Sequence, residues 1–175
     1  AERAREVGFF PYFDEVHLTR SGPSQNAKAN GFSVGQRTQP DLQGLFQLYN
    51  AVTPPEIRQG IGMTIDQWKD SQEPIQGHRD ESILKSNGKV VGWLTCDFFG
   101  NTTSGQTLVH HEHPDLTRYL IDISDRTYNW LVPSYQPHVS ELLAQQGLHE
   151  SGRYVMLIKK VTVPVSNREF SYVEA

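Results

Sequence analysis

Apolar and polar residues alternate with a period of two in several segments, which predicts β-strands. Residues 9–18 alternate in this way, and Pro11 restricts that strand to an edge or to its first turn. Asn87-Gly88 lies between two further alternating segments and is the strongest two-residue signal for a β-hairpin. The remaining strands are predicted at residues 31–37, 82–85, 89–98, about 106–111, 132–135 and 153–163.

Apolar residues at helical spacing predict the helices. A capping box at Thr38–Asp41 precedes one of them, and similar signals at Thr53 and Thr64 begin two short helices. Asp115 begins an apolar stripe that runs from Leu116 to Leu131 and predicts one long helix. Shorter helical segments end at Gly8 and at Gly147. The apolar positions of the first full helix are Leu42, Leu45, Phe46, Tyr49 and Val52.

The order of these elements predicts an α/β (α+β) fold with a mixed, strongly twisted sheet and helices on both faces. We expect the last two helices to lie on opposite faces. The polar segment 21–30 reads as a linker. Residues 1–20 are therefore interpreted as the end of a preceding unit that packs on the main body, 31–165 as the main domain, and 166–175 as a polar tail.

Composition narrows the function classes. The 175 residues carry a net charge of −4, so there is no basic excess to attract nucleic acid. The single cysteine, Cys96, excludes an internal disulfide framework and a multi-cysteine zinc site, and we expect it in the core. The sequence contains no apolar run of the roughly 18 residues that a membrane span needs and does not open on a signal-peptide pattern, which favours a cytoplasmic protein without membrane contact.

Three phrases carry a family resemblance. They are residues 32–41 followed by Leu45, Leu48 and Tyr49; residues 88–94, with the form Gly-x-Val-Val-Gly; and residues 142–148 followed by 152–154 and 156–159. In this order they resemble the GNAT superfamily of N-acetyltransferases over about residues 31–162. Residues 1–20 are similar to the last helix and strand of the same fold. The resemblance therefore suggests the C-terminal half of a tandem protein with degenerate motifs.

The resemblance implies acetyl-coenzyme A as acyl donor to a small amine. Family members hold the pantetheine arm in a splay between two parallel strands and the pyrophosphate at the next helix N-terminus. The corresponding residues here are Leu108, Val109 and His110 for the arm, and Leu116, Thr117 and Arg118 for the pyrophosphate. The family's glycine-rich loop is missing from residues 108–120, and Glu112 and Asp115 are acidic there.

The predicted catalytic set is His110, Glu112 and Tyr154. For the general base the candidates are His110, His111 and Glu112, at the end of the strand. The resemblance places a tyrosine general acid four residues before Gly147, where this chain has Leu143, and Tyr135 and Tyr154 are the alternatives. Spacing selects neither of them.

Two other interpretations of the same residues stay open. Alternation places His111 and His113 on one face, but two ligands do not make a metal site, and no metal is predicted. The second interpretation is a catalytically silent domain that binds a metabolite, or packs against a missing N-terminal half or a homodimer partner. The missing glycines, the acidic helix start and Leu143 favour this alternative.

Overall fold

A computed structural model describes residues 2–20, 33–72, 77–100, 102–123 and 129–159. Within these ranges the helices are α1 (Glu2–Glu6), α2 (Leu42–Val52), α3 (Pro55–Ile61), α4 (Ile65–Asp70), α5 (Asp115–Ile123) and α6 (Pro137–Gln145). The strands are β1 (Phe9–Thr19), β2 (Ser33–Gln36), β3 (His78–Ser86), β4 (Lys89–Phe99), β5 (Thr102–Val109), β6 (Asn129–Pro133) and β7 (His149–Lys159). The predicted linker at 21–30 and tail at 166–175 lie outside the described residues.

All seven strands form one mixed sheet in the order β2-β3-β4-β5-β6-β1-β7. Only β5 and β6 are parallel neighbours, and the other neighbouring strands are antiparallel. This confirms the predicted fold class. Strand β1 lies between β6 and β7, so its expected packing on the main body is confirmed as well. The assignment of residues 1–20 to a preceding unit stays a prediction.

Pro11 is tolerated inside the sheet because β1 is paired unevenly. Along β7 the pairing extends from Phe9 to Thr19, but along β6 it begins only at Glu15. The ladder with β7 also contains an irregularity between Pro11 and Phe13. Proline therefore occupies a position where one edge of the strand has no ladder to interrupt.

Two apolar clusters lie on opposite faces of the sheet. Helices α2 and α4 cover one face, where Leu45, Tyr49 and Trp68 pack against Trp93 and Leu108. Helices α5 and α6 cover the other face, and their buried residues Leu116, Leu120, Ile121, Val139 and Leu143 share one cluster. Helices on both faces are thus confirmed.

The expectation that the last two helices lie on opposite faces is wrong. Strands β5, β6 and β7 run in the same direction and follow one another across the sheet, with antiparallel β1 inserted before β7. Right-handed crossovers that advance in one direction place their helices on one face. Helices α5 and α6 therefore pack side by side.

The predicted long helix after Asp115 is also wrong in its second half. Helix α5 ends at Ile123, and Trp130 and Leu131 belong to β6. Trp130 pairs with Leu18 of β1 and is 1% exposed. The predicted strand at 132–135 accordingly begins earlier, at Asn129, and the predicted strand at 106–111 spans 102–109 instead.

The hairpin turn and the helix-start signals at Thr38 and Thr64 are confirmed. The capping signal at Thr53 is wrong, because Pro54 precedes α3 and Thr53 instead ends α2. Asn87 and Gly88 have φ angles of 50° and 78°, as a two-residue hairpin turn requires. Thr64 accepts a hydrogen bond from the Gln67 N–H and completes a capping box at α4. Cys96 is buried in β4, as expected. In the described residues, no helix is both long and apolar enough to cross a membrane.

The capping aspartate Asp41 should make stability depend on pH. Its carboxylate accepts from the Thr38 N–H at 2.9 Å and lies 2.5 Å from the Lys85 ammonium. The Lys85 contact, followed by Thr38, lowers the pKa of Asp41 to about 2 from an ordinary value of 3.8. A lowered folded-state pKa stabilises the protein above the unfolded-state pKa, and this contribution is lost as pH falls through the folded value.

We therefore expect Asp41→Asn to lower the melting temperature at pH 7, with the difference from the unchanged protein shrinking between pH 4 and pH 2. Circular dichroism melts at these pH values measure it. Asp70→Asn, at an exposed position in α4, is the matched control. Identical melting curves of the unchanged protein and Asp41→Asn at pH 7 would contradict the prediction.

Candidate active site

The parallel strands β5 and β6 part shortly after they meet. They share only the residue pairs Ser104–Asn129 and Gly105–Trp130, at their amino ends. Residues 106–109 and 131–133 continue as strands without a further pair between them. The predicted splay between these strands is present, and it opens toward their carboxyl ends.

The β5 backbone groups that face this gap follow from its ladder with β4. The His110 N–H donates to the Val91 carbonyl at 2.9 Å. Hydrogen-bonded pairs alternate along an antiparallel ladder, so Leu108 also directs its backbone groups toward β4. The N–H and C=O groups of Thr107 and Val109 therefore face β6. Of the three residues predicted to hold the pantetheine arm, only Val109 turns its backbone to the gap.

The same alternation identifies the groups on β6. Ser134 donates its N–H to the Asp14 carbonyl of β1 at 2.7 Å. Along this regular ladder Val132 is directed toward β1 as well. The N–H and C=O of Leu131 and the C=O of Pro133 therefore face the gap. An extended ligand with amide groups could bind between the strands as an additional strand does.

The start of α5 does not offer the predicted anion site. The Leu116 N–H donates to the His113 carbonyl and the Thr117 N–H to the Pro114 carbonyl, both at 3.1 Å. Two of the three N–H groups expected to bind a pyrophosphate thus already have partners. Exposed carboxylates of Glu112 and Asp115 add negative charge at the same place. The residues here do not fit a pyrophosphate.

His110 directly follows β5 and is suited to accept a proton. Its ring stacks on His111 with centroids 4.4 Å apart, and its Nδ1 lies 3.8 Å from the Glu112 carboxylate. Burial, followed by the charge of His111, lowers the pKa of His110. The imidazole is therefore neutral at pH 7. In the described ranges no three His, Cys, Asp or Glu side chains are grouped so that they could hold a metal ion.

Tyr154 lies away from the other two residues of the predicted catalytic set. It belongs to β7, its ring lies 6.0 Å from that of His17, and it is 52% exposed. Strands β6 and β1 separate β7 from β5. Three strand spacings correspond to about 14 Å. The structure brings His110 and Glu112 together but not Tyr154.

Tyr135, unlike Tyr154, lies at the carboxyl end of a strand that borders the gap. It lies two residues beyond the end of β6, as His110 lies one residue beyond β5. Since β5 and β6 are parallel, both residues lie at the same edge of the sheet, beside the mouth of the gap. Burial raises the pKa of Tyr135 to about 12, so its hydroxyl is protonated at pH 7. The sequence analysis named Tyr135 as an alternative to Tyr154, and only its position just after the end of β6 distinguishes the two.

A cavity of about 450 Å³ adjoins Tyr135. It is an open depression lined by residues of β1, the start of α3, the segment after β6 and Val155 of β7, and Tyr12 and Phe13 are among these residues. The Phe13 and Tyr135 rings meet edge to face at 5.5 Å. Two carboxylates, Asp14 and Glu56, line the cavity, and none of its described lining residues is Lys, Arg or His.

Tyr12 fastens α3 onto the sheet at this cavity. Its hydroxyl lies against the backbone carbonyls of Glu56 and Ile57 and accepts the Gly60 N–H at 2.9 Å. A Cβ at Gly60 would come within 2.7 Å of the Tyr12 ring and within 2.3 Å of Ile158. A side chain at Gly60 would therefore have to displace the Tyr12 ring and the tip of Ile158.

Comparisons with known proteins identify the fold. No family profile and no curated sequence matches the chain. A functionally unknown conserved protein from Staphylococcus epidermidis aligns with a TM-score of 0.59 at 13% identity, over 91% of this chain and 66% of that one. A GCN5-related N-acetyltransferase from Sphaerobacter thermophilus aligns at 0.52 and 15%, over 91% and 55%. Another from Anabaena variabilis aligns at 0.58 and 9%, over 90% and 43%.

The chain thus spans between 43% and 66% of the length of these three structures. Similarity at this level of identity defines architecture. It agrees with the mixed sheet and its covering helices. The chain has the fold of the GCN5-related N-acetyltransferases.

Proposed function

We propose that the domain is an N-acetyltransferase that transfers an acetyl group from acetyl-coenzyme A to an amine. One observation carries the proposal: His110 and Tyr135 closely follow the parallel strands β5 and β6, at the edge of the sheet where the gap between these strands opens. His110 is neutral and Tyr135 is protonated at pH 7. Environments that separate two pKa values in this way are typical of a base and acid pair.

The gap suits the amide-containing pantetheine arm. Backbone groups of Thr107 and Val109 on one side and of Leu131 and Pro133 on the other would hold it by strand-like hydrogen bonds. We place the thioester end at the mouth of the gap, where the resemblance places the pyrophosphate, because the start of α5 has no free N–H cradle at Leu116 and Thr117. When bound, the donor supplies an activated acetyl group. The pyrophosphate finds no free cradle at α5, and no step depends on it.

The two residues divide the proton transfers. As the amine nitrogen bonds to the thioester carbonyl carbon, His110 accepts the proton that the nitrogen must lose. As the carbon–sulfur bond breaks, Tyr135 donates its hydroxyl proton to the departing sulfur. The products are an N-acetyl amide and a free thiol. His110 releases its proton to solvent and Tyr135 regains one from solvent, so both side chains return to their starting forms. The Glu112 backbone N–H donates to His110 Nδ1 at 3.4 Å, and the Glu112 carboxylate lies 3.8 Å from the same nitrogen.

The α5 start favours a second candidate function, a catalytically silent domain. Occupied N–H groups at Leu116 and Thr117 and the carboxylates of Glu112 and Asp115 oppose a bound pyrophosphate. This alternative keeps the fold but requires no acyl transfer.

The cytoplasmic location and the tandem or homodimer partner remain part of the proposal. Strand β7 is the edge strand of the sheet and exposes Tyr154 to Leu157.

Calorimetry with two donors tests the proposal. Because the pyrophosphate has no free cradle at α5, we expect acetyl-pantetheine to bind within about threefold of acetyl-coenzyme A, a difference of roughly 0.6 kcal/mol. A saturating donor at 100 times its dissociation constant would also stabilise the fold by about 2.7 kcal/mol. Absence of heat and of a thermal shift with both donors would establish the silent domain instead.

Activity should depend on pH through His110. With donor and amine saturating, kcat rises as His110 loses its proton, and the midpoint of this rise lies below pH 6.5 because its pKa is lowered. His110→Gln should remove the rise and lower kcat about 100-fold. His149→Gln on β7 is the control and should keep the profile. A midpoint above pH 6.5 would contradict the assignment of His110 as base.

A further inference from the structure

The two halves of the sheet meet at the β5–β6 gap. One half, β2 to β5, carries His110, and the other half, β6, β1 and β7, carries Tyr135. We infer that Tyr12 is a positioning residue, whose hydroxyl holds α3 against β1 and thereby sets the separation of His110 and Tyr135 across the gap. We call the contacts of this hydroxyl with α3 the strap. The strap stands on its own contacts, whereas its role in acetyl transfer rests on the proposed function.

The backbone joins these halves at one end of the gap. Strands β5 and β6 share two residue pairs, both at their amino ends. His110 and Tyr135 follow the carboxyl ends, where the described residues of the two strands share no pair. The packing of side chains and helices must therefore fix the distance between these two residues.

Packing across the gap differs between the two faces of the sheet. Under α5 and α6, one apolar cluster contains Val109 of β5, Val132 of β6 and Leu18 of β1, so it includes both halves. Under α2 and α4, the cluster reaches Leu108 of β5, and none of its described members belongs to β6, β1 or β7. On this second face the halves need another connection.

Helix α3 provides that connection, and its first attachment is to α2. Arg58 donates to the Asn50 side chain at 2.9 Å, and the Tyr49 hydroxyl donates to the Gly62 carbonyl at 3.3 Å. Tyr49 itself belongs to the cluster under α2 and α4. One end of the connection is thus fixed on the half that carries His110.

The second attachment of α3 is to Tyr12 of β1. The Glu56 carbonyl and the Gly60 N–H are four residues apart, about one helical turn, and the Tyr12 hydroxyl contacts both of them. The same hydroxyl lies against the Ile57 carbonyl. Gly60 also approaches Ile158 of β7, because a Cβ there would lie 2.3 Å from that side chain. Helix α3 is therefore held on β1 and β7 as well as on α2.

Ring contacts connect the strap to the proposed acid. The rings of Tyr12 and Phe13 lie 5.6 Å apart, and the Phe13 ring meets that of Tyr135 edge to face at 5.5 Å. Movement of β1 away from α3 would therefore move Tyr135 away from His110. A misplacement of about 1 Å can cost about 100-fold in rate.

Spin-label distances measure the separation of the halves without any substrate. The labels are attached to Gln47→Cys of α2 and Tyr154→Cys of β7, both at exposed positions, and their distance is read by double electron–electron resonance. Cys96 is buried and should stay unlabelled. We expect Tyr12→Phe to broaden the distance distribution and to lengthen its mean by more than about 2 Å.

Two further variants support this measurement. Gly60→Ala displaces the Tyr12 ring from the side of α3 and should lengthen the distance in the same way. Tyr119→Phe removes a hydroxyl from α5, on the opposite face of the sheet, and should leave the distribution unchanged. Circular dichroism melts select the variants that still fold cooperatively.

Initial rates of the unlabelled proteins test the positioning role. Tyr12→Phe should lower kcat about 10- to 100-fold. In a Tyr135→Phe background, where no acid remains to be positioned, the same substitution should lower kcat by less than about threefold. A purely structural role would lower kcat equally in both backgrounds.

Each outcome supports or overturns the inference. Unchanged distances in Tyr12→Phe and Gly60→Ala overturn the strap, and so does an equal change in Tyr119→Phe. Longer distances with full kcat, or with equal losses in both backgrounds, overturn the positioning role. Longer distances in a chain that transfers no acetyl group would leave the strap standing and reject the proposed function.

Discussion

Replacing Tyr135 by phenylalanine is expected to lower kcat for acetyl transfer by about 10²- to 10⁴-fold, the range of a lost general acid. The hydroxyl is the protonated group at the mouth of the β5–β6 gap, with its pKa raised to about 12 by burial. The aromatic ring remains, so the edge-to-face contact with Phe13 and the fold should be preserved. Binding of acetyl-pantetheine should therefore be unchanged within about twofold.

Tyr154→Phe provides the decisive comparison, because Tyr154 belongs to the predicted catalytic set although spacing does not select it over Tyr135. Its exposed ring on β7 lies three strands from β5, and the substitution should leave kcat unchanged. Initial rates from thiol release, with product mass spectra, measure both variants. A loss of activity in Tyr154→Phe with full activity in Tyr135→Phe would reverse the assignment.

Trp130→Ala is expected to destabilise the domain by about 3–5 kcal/mol. The side chain is 1% exposed and belongs to the core cluster under α5 and α6. Its residue also forms one of the two pairs that join β5 to β6, opposite Gly105. Truncation would thus leave a large cavity where the two halves of the sheet are most weakly joined. Urea denaturation followed by fluorescence of the remaining tryptophans measures the change.

Two control variants test whether the loss of stability comes from the buried ring of Trp130 rather than from any substitution in this part of β6. Trp130→Phe keeps a ring, and the indole N–H has no hydrogen-bond partner among the described residues, so it should cost clearly less than the alanine variant. Leu131→Ala changes the next residue of the same strand, which is only half-buried, and should cost less than Trp130→Ala too. If Trp130→Ala loses less than about 1 kcal/mol, the core assignment is wrong.

The conformations of turns and helix starts could be predicted from the sequence. The hairpin at Asn87-Gly88 needs residues that tolerate a positive φ, and the capping box at Thr64 needs two side chains only three positions apart. The mixed sheet and the gap after β5 were also predicted, because element order and family resemblance carry that information. His110 was identified as a candidate base, since it follows the strand directly.

Tertiary structure decided what depends on neighbours distant in the chain. Trp130 continues a helical stripe in sequence, but its pairing with Leu18 makes it part of a strand. The groups that line the gap follow from which edge of β5 is used by β4, and this favours Thr107 over Leu108. Tyr135 is distinguished from Tyr154 only by the end of β6. Helix periodicity and turn propensity act within a few residues, whereas strand pairing and burial are set by contacts between distant segments.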